Sequence, residues 1–404
     1  MVPGITRPQR SLLAAVCATA VATIYAIQPV LETAGAELGL PDESLGLLVA
    51  AGQLGYVAGL ILLVPLGDLM DRRGLISGLL VLTAVGAAIT ALAPNGLVAM
   101  VGLAVAGVFA VVVQVTVAYA AAMAAPGARG RIIGAVTSGV VLGILGVRVV
   151  AGVLGDTLGW RVVFVLLTGS CVALAVLTRA VLRPDVRMPG ARYLPTLRST
   201  GRLLVTDRLF LSRGLIAFFL FASFGTLWSG LALPLGAEPW SLGTTAIGLF
   251  GVAGLAGALG ASRAGRWADA GRAGTVSGWS LVILAGSWLL IAPLGPTLLP
   301  LVAGIVALDF AVQAVHVSNQ HLLTTAHPDR TGSVIGAYMT FYSAGSALGA
   351  VTTAWAYSSW GWWAACAFGA GYALCGLTVW GLARLRVTPA TEIVPVQTVS
   401  CPQT

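Results

Sequence analysis

Apolar residues fill this chain in long stretches that are separated by short polar segments. Twelve stretches approach the roughly 20 residues that a helix needs to cross a hydrocarbon layer about 30 Å thick. The first occupies the position of a secretory signal peptide, but its length and the spans after it indicate an uncleaved helix. The pattern predicts spanning helices at about 11–31, 45–66, 75–93, 96–124, 132–154, 162–182, 214–236, 242–262, 275–294, 297–325, 333–358 and 362–383.

The composition supports an all-α membrane protein. Hydrophobic residues make up 58% of the 404 positions and charged residues only 9%, whereas a soluble domain carries about 25% charged residues. A soluble fold of this length could not bury so much apolar surface, because soluble cores stop growing and split into domains. Lipid is therefore the predicted solvent for most of the chain.

The charged and reactive residues exclude several functions. All 22 basic residues are arginines, and they flank the apolar stretches instead of forming a nucleic-acid-binding face. Without lysine the chain has no P-loop, which excludes ATP drive within it. The five cysteines have neither metal nor disulfide spacing, and no catalytic constellation gathers at one boundary. We expect no metal, no cofactor and no enzymatic activity.

The charges also predict an orientation. With the N-terminus inside, nearly all arginines fall on the cytoplasmic side, as the positive-inside rule requires. Arg161 alone falls on the opposite side, where the acidic residues Glu32, Glu37, Asp42, Glu43, Asp156 and Glu238 also lie. Both termini are therefore expected in the cytoplasm of a bacterium, with the protein in its inner membrane.

A basic segment divides the chain into two similar halves. Residues 183–213 carry seven arginines and predict a cytoplasmic linker that is a plain connector or binds anionic lipid. It separates six spans in 1–182 from six in 214–384, before a tail at 385–404. The halves repeat: "MAAPGARGRIIGA" at 123–135 matches "TTAHPDRTGSVIGA" at 324–337, and Gly159-Trp160 aligns with Gly361-Trp362.

The loop after the second span, "GDLMDRRG", carries a family signature. Gly67, Asp71, Arg72 and Gly74 fit the pattern G-x-x-x-D-R-x-G, and with six plus six spans the chain resembles the major facilitator superfamily. "YAIQPVLETAGAELG" and "VHVSNQ" look like its drug:proton antiporter branch, although Leu103 and Arg148 replace residues typical of that branch. The resemblance implies two pseudo-symmetric six-helix bundles around a small-molecule site, and we expect a monomer.

The same resemblance implies gates between the halves. Asp71 would point at the start of the eleventh span near Thr331–Ser333, with Arg72 and Arg131 completing a latch. A simpler interpretation is that these charges only anchor the topology. The predicted gating residues are Gly67, Asp68, Asp71, Arg72, Arg73, Gly74, Arg131, Gly265 and Asp269.

Asp309 lies near the middle of the tenth predicted span, where a charge costs about 3 kcal/mol or more. Gln313, His316 and Gln320 follow at helical spacing and share its stripe, which predicts the lining of a wet cavity. Asp309 could carry a coupling proton, or it could be a buried polar group bonded to Gln313. His316 could relay the proton or serve as a neutral hydrogen-bonding group.

Arg148 is the second charge inside the membrane. Counting 1.5 Å per residue, Arg148 lies about 10 Å and Asp309 about 16 Å below the outer helix ends. The two could pair, Arg148 could hold an anionic substrate, or its side chain could extend to the surface. Pro29 predicts a kink in the first span. Further predicted substrate contacts are Tyr25, Gln28, Gln53, Gln114, Trp228 and Gln313.

These features predict a secondary transporter that exports a small organic solute or drug in exchange for protons. A proton-linked importer or a facilitator uses the same architecture, and the motifs leave the direction of transport open. A transport-inactive receptor or scaffold is a further alternative, which the charges inside the membrane disfavour.

Overall fold

The computed structural model confirms the all-α prediction. The regular secondary structure of the described residues is helical, without a β-strand. The structure describes residues 5–124, 129–185, 193, 201, 206–261, 267, 271–327 and 331–385. For Asp68, 129–131, 331 and 333 it describes the backbone alone.

The long helices of these residues form twelve segments, which we label α1 to α12 in chain order. Several of them contain a short irregular turn between two helical parts. Their bounds are Arg7–Glu37, Asp42–Leu62, Arg72–Ala91, Gly96–Met123, Arg129–Leu158, Trp160–Val181, Arg208–Gly236, Thr244–Gly260, Ala273–Ile291, Leu299–Ala326, Thr331–Trp360 and Trp362–Leu385.

Eleven of these segments are long and apolar enough to cross a membrane. The described part of α8 has 17 residues and spans about 26 Å, just short of a hydrocarbon layer of about 30 Å. The structure therefore supports eleven of the twelve predicted spans by length and composition, and α8 is a shorter apolar helix at the remaining position.

Side-chain caps place two helix starts earlier than the apolar pattern predicts. Asp71 caps α3, which begins at Arg72 instead of about 75. Asp207 accepts a hydrogen bond from the Phe210 amide at 2.9 Å, and α7 therefore begins at Arg208 instead of 214. Both helices extend past the apolar stretch because a capping carboxylate satisfies backbone N–H groups that have no partner within the helix.

Proline interrupts α1 where the sequence predicts a kink. The first part of α1 ends at Tyr25, a 3-10 turn covers Gln28–Val30, and the helix resumes at Leu31. Pro29 lies in this turn and has no backbone N–H to donate. The break leaves the Gln28 side chain at a helix interruption in the protein interior, where it is 1% exposed.

The repeat in the sequence is visible in the backbone. Gly159 joins α5 to α6 with a φ of 85°, and Gly361 joins α11 to α12 with a φ of 78°. Both positions lie in the left-handed region that favours glycine, and a tryptophan begins the next helix in each case. The tight turn is therefore used at equivalent places in the two halves.

The helices pack as two groups of six, α1–α6 and α7–α12. Helix α1 packs on α5 and α6 in the first group, as α7 packs on α11 and α12 in the second. Between the groups, α2 packs on α11 and α5 packs on α8. Exchanging the two halves converts one of these contacts into the other, which is the pseudo-symmetry expected of a duplicated bundle.

The halves meet most closely at one face of the molecule. We call the face where α1 begins and α12 ends the terminal face, and the opposite one the distal face. Near the distal face, a Cβ atom added to Gly46 of α2 would lie 2.3 Å from the Ala350 carbonyl oxygen of α11. A Cβ on Gly152 of α5 would lie 2.5 Å from the Thr244 carbonyl oxygen of α8. Glycine therefore permits backbone-to-backbone contact there.

Helix α5 packs against α8 near the distal face but is exposed toward the terminal face. Leu145 and Arg148 lie against α8, whereas Gly134 and Ser138, which continue the same helical face, are exposed. The seam between α5 and α8 is thus closed at the distal side and open at the terminal side. The segment after α2 still contacts α11 there, since a Cβ on Gly336 would lie 3.5 Å from Cγ1 of Val64.

Candidate transport site and gates

The two charges that the sequence predicts inside the membrane lie at the interface between the halves. Arg148 on α5 and Asp309 on α10 are each 2% exposed. The Arg148 guanidinium donates hydrogen bonds to the Gln28 side-chain oxygen at 2.9 Å and to the Ile144 carbonyl at 3.1 Å. Arg148 thus lies in the interior, with its side chain directed to α1 and not to the membrane surface.

Aromatic rings surround the Arg148 guanidinium. Its central carbon lies 3.9 Å from the centre of the Trp228 ring, and 5.6 Å from the ring centres of Tyr25 and Phe224. A guanidinium within about 6 Å of a ring face is attracted by the ring quadrupole. Trp228 is therefore the closest ring of an aromatic cage around this cation, and the cage joins α1, α5 and α7.

Asp309 lies beside this cage, and its neighbours compensate its negative charge only in part. The indole of Trp228 is directed toward its carboxylate, but Oδ2 of Asp309 has no hydrogen-bond partner among the described residues. The carboxylate interacts electrostatically with Arg148, although no ion pair within 4 Å joins these two described residues. A buried charge without full pairing is costly, and Arg148 and Trp228 are the groups that compensate it in this conformation.

Glycines of α8 make room for the two charged groups. A Cβ atom on Gly254 would lie 2.7 Å from a Trp228 ring carbon and 3.2 Å from Oδ2 of Asp309. One turn away, a Cβ on Gly251 would lie 3.1 Å from Cβ of Arg148. Helix α8 therefore forms the wall against which Arg148, Trp228 and Asp309 pack.

The space beside Arg148 is small in this conformation. A cavity of about 10 Å³ lies there, which is the lower limit for a single water molecule. An organic solute needs the cage to open before it can contact the guanidinium. The walls of this small cavity are formed by Gln28, Pro29, Arg148, Trp228, Leu231, Ala232 and Ile247.

The rest of the α10 stripe forms a separate network. Nδ1 of His316 lies 3.1 Å from the Tyr338 hydroxyl, and Nε2 lies 3.0 Å from the Gln320 amide nitrogen. Gln313, His316 and Gln320 are partly exposed, whereas Asp309 is buried. His316 is seven residues from Asp309, about 10 Å along the helix, so no direct contact links the two. The stripe is therefore buried at Asp309 and partly exposed at Gln313, His316 and Gln320.

Two other predicted contacts, Tyr25 and Gln53, lie in the same interface, and Gln114 bonds within one half. The hydroxyl groups of Tyr25 on α1 and Tyr342 on α11 are hydrogen-bonded across the halves. The Ser343 hydroxyl bonds the Gln53 side-chain oxygen at 2.7 Å, again joining α2 to α11. Gln114 donates to the Tyr56 hydroxyl at 3.2 Å within the first half.

Several central residues were missed by the sequence prediction. Tyr342 packs on Phe221 with ring centres 3.8 Å apart, and Phe221 also contacts His316 at 5.3 Å. Tyr338, Tyr342 and Ser346 recur every four residues in "AYMTFYSAGSALG". That spacing places them on one helical face, and it is the signal that could have identified α11 as a polar wall of the site.

The signature loop adopts a local arrangement. Asp71 accepts hydrogen bonds from the amides of Gly74 at 2.9 Å, Arg73 at 3.4 Å and Asp185 at 2.7 Å. Partial burial would raise the pKa of Asp71, but these amides outweigh it and lower the pKa. Arg72 pairs with Asp185 at 3.1 Å. Among the described residues, the hydrogen-bond partners of Asp71 belong to α3 and to the segment after α6, and none belongs to α11, the partner that the resemblance implied.

The other predicted gating residues are placed only in part. Gly67 is buried near Val115 of α4, and Arg73 donates to the Arg179 carbonyl at 2.5 Å. Gly265 and Asp269 lie outside the described residues, as do the side chains of Asp68 and Arg131.

A second carboxylate bridges the halves at the distal face. Asp156 of α5 accepts hydrogen bonds from the amides of Thr244 at 2.9 Å and Thr245 at 2.6 Å, and from the Thr244 hydroxyl at 2.5 Å. These donors form the start of α8, where a negative charge is favoured. The sequence placed Asp156 on this face but gave no indication of its partner.

Known proteins share this architecture. Among solved structures, the chain superposes on a bacterial homolog to the human lysosomal transporter Spinster, in an inward-facing and occupied conformation, with a TM-score of 0.76. Sequence identity is 16%, and the match covers 94% of this chain and 98% of that one. At this identity the likeness shows the fold.

Sequence comparisons identify the family. The chain is 39% identical over 364 residues to the uncharacterized transporter YgaY of Escherichia coli O157:H7, covering 89% of this chain and 92% of the relative. It is 33% identical over 381 residues to a Streptomyces coelicolor protein named Probable transporter SCO4007, with 91% and 85% covered. Residues 12–350 match the family described as the Major Facilitator Superfamily. The chain belongs to this superfamily and is a multi-pass membrane transporter, not an enzyme.

Proposed function

We propose that this transporter exports a small organic solute or drug in exchange for protons, by alternating access. We further propose that it works as a monomer in a bacterial inner membrane, with the terminal face in the cytoplasm. The arginine distribution supports that orientation. The working units would be the bundles 1–182 and 214–384, joined by the basic linker 183–213 and followed by the tail 385–404.

Asp309 carries this proposal. Its carboxylate is buried between the halves, Oδ2 has no hydrogen-bond partner among the described residues, and Arg148 and Trp228 are its polar neighbours. A group with these surroundings can be neutral or charged depending on which partner faces it. That property is what a proton carrier in an alternating-access cycle requires.

The cycle follows from exposing Asp309 to one side at a time. With the terminal face cytoplasmic, the exposed α5 face at Gly134 and Ser138 supports an inward-facing state. In the outward-facing state, a proton from outside would neutralise Asp309 and lower its affinity for the solute. Return to the inward-facing state would release the proton, with Gln313 and His316 lining its route, and restore solute binding.

The lining of the interface supports an amphipathic or hydroxylated solute. Amide and phenol groups provide hydrogen bonds, and the indole of Trp228 provides apolar surface. A solute that competes with a proton for Asp309 must present a hydrogen-bond donor or a positive charge to it. The proposed substrate contacts are Tyr25, Gln28, Gln53, Gln114, Arg148, Trp228 and Gln313.

We propose that the signature loop acts as a gate in the opposite conformation. When the terminal face closes, Asp71 would exchange its present amide partners for the start of α11. Arg72, Arg73 and Arg131 would then pair across the halves, with Gly67, Asp68 and Gly74 shaping the loop. Gly265 and Asp269 would form the corresponding loop of the second half.

Transport by reconstituted protein tests the proton coupling. A solute identified by thermal shift in detergent is loaded into proteoliposomes, and a pH gradient is imposed. The wild type should move the solute against its gradient, whereas Asp309→Asn should only equilibrate it, because its side chain cannot take up a proton. The matched control Glu43→Gln removes an exposed acid at the start of α2 and should transport like the wild type. Uphill transport by Asp309→Asn would contradict the proposal.

The caged guanidinium of Arg148 favours one alternative, a proton-linked importer of an anionic metabolite. Neutralising Asp309 would then leave Arg148 uncompensated and raise its affinity for an anion, so that proton and solute move together. The same proteoliposomes separate the two functions. Antiport drives the solute toward the acidic side, symport drives it toward the alkaline side, and a facilitator ignores the gradient.

A further inference from the structure

A second cavity lies at the distal face, away from the buried charges. It has a volume of about 400 Å³, within the range of about 300–1,000 Å³ in which small molecules bind. Its walls come from the start of α2, the end of α7 and the loop after it, the segment after α9, and the junction of α11 with α12. We call it the distal vestibule.

The residues of this vestibule combine acids with aromatic rings. Asp42 and Glu238 supply carboxylates, and Trp240, Tyr357 and Trp362 supply rings. None of the residues that line it is an arginine or a histidine. Glu32 adds a further negative charge nearby, since it interacts electrostatically with Asp42. The charged side chains that line the vestibule are therefore all acidic.

The polar atoms of two rings are already occupied. The Tyr357 hydroxyl donates to the Leu233 carbonyl, and the Trp362 indole donates to the Ile291 carbonyl, each at 3.2 Å. Tyr357 therefore offers a ligand ring surface and not a hydrogen-bonding group, and Trp362, which is 7% exposed, offers only a small part of its ring. Carboxylates beside aromatic faces are the surroundings that bind a quaternary or protonated amine.

We propose that the distal vestibule binds a small organic cation with an apolar body. Asp42 belongs to the first half, and Glu238 and Trp240 belong to the second, so a bound cation bridges the halves. It therefore favours the conformation in which the distal face is closed. This site is separate from Asp309, and its existence does not depend on proton coupling.

Binding of benzyltrimethylammonium to the purified full-length protein in detergent tests the proposal. Calorimetry at low ionic strength should detect binding of this cation but not of benzyl alcohol, which has the ring without the charge. Glu238→Gln, Asp42→Asn and Trp240→Leu should each weaken binding by about threefold or more, because each removes a carboxylate or a ring face. Glu43→Gln, an adjacent acid outside the vestibule, should leave it unchanged.

Asp309→Asn distinguishes the vestibule from the central site. Binding that survives Asp309→Asn and weakens in Glu238→Gln assigns the cation to the vestibule. Binding that is lost in Asp309→Asn and unaffected by Glu238→Gln would place the cation at the central site and overturn the proposal. Equal binding of benzyl alcohol would also overturn it. Neither result bears on transport by the wild type, so failure here is distinguishable from failure of the proposed function.

Discussion

Asp71 at the terminal face and Asp156 at the distal face both place a carboxylate at the start of a helix, but they do different work. Asp71 caps its own helix α3 and holds the segment after α6, so its bonds stay outside the second half. Asp156 caps α8 of the opposite half. The same local chemistry therefore stabilises one half at the terminal face and joins the two halves at the distal face.

The difference shows that the conformation, and not the motif, decides which carboxylate acts as a latch. In the present state the halves touch distally, and Asp156 lies in that contact. Asp71 belongs to a recognisable signature, but in this state its acceptor oxygens are occupied by amides of α3 and of the adjacent segment. A latch at Asp71 requires a different state, in which the terminal ends approach.

The largest expected effect comes from blocking the distal contact. Gly46→Leu places a side chain where even a Cβ atom would lie 2.3 Å from the Ala350 carbonyl oxygen, so the distal face cannot close. Transport should be lost, and a cysteine at position 244 of a cysteine-free background should become fully reactive to maleimide. Gly78→Leu is the matched control, since a Cβ there meets nothing within 4 Å. If the cysteine of Gly46→Leu stays as protected as in the wild type, the distal face still closes and the proposed contact between Gly46 and Ala350 is refuted.

A smaller effect is expected from removing the carboxylate of Asp156, which joins the two halves at the distal face. With cysteine at position 244 the Thr244 hydroxyl is absent, so Asp156→Ala removes the acceptor of the two remaining amide hydrogen bonds from the start of α8, worth about 1–2 kcal/mol as a helix cap. The equilibrium should move about tenfold toward the distal-open state, measured by the rate of labelling at the same cysteine. Asp156→Asn keeps an acceptor and should shift it less. Asp71→Ala should leave the rate of labelling at this cysteine unchanged. A faster rate in Asp71→Ala would contradict the difference between the two carboxylates.

The smallest effect is expected at Asp71, and it should depend on pH. Asp71→Ala should lower the free energy of unfolding by about 1 kcal/mol at neutral pH, because the cap of α3 is lost. The lowered pKa of Asp71 means that the stabilisation is present above the ordinary carboxyl pKa and is lost as pH falls through the lowered value. Thermal unfolding in detergent should therefore show a difference from wild type that shrinks in acid. A constant difference would contradict a charged cap.

Much of the fold follows from local sequence. Apolar length located the helices, and the Gly-Trp repeats at 159–160 and 361–362 marked equivalent turns. Counting residues from the helix ends placed Arg148 and Asp309 at similar depth, and the structure brings them into one interface. These features depend on spacing along the chain, which the sequence contains.

The partners of the site residues could not be predicted in this way. Tyr342 bonds Tyr25 because α11 and α1 meet at particular rotations, and those rotations are set by packing between the halves. Trp228 lies between Arg148 and Asp309 for the same reason. Asp185 reaches Asp71 through a connection that has no periodic pattern. Contacts between segments far apart in the chain, and the choice between two conformations, are absent from local spacing.

The glycine contacts at Gly46 and Gly152 have a consequence for energy conservation. Where backbones touch directly, no room remains for a continuous file of water molecules between the halves. A proton therefore cannot leak along this seam while the terminal side is open. At Gly46 and Gly152 the seal consists of main chain that has nothing to ionise, which helps the membrane to keep its electrochemical gradient during each turnover.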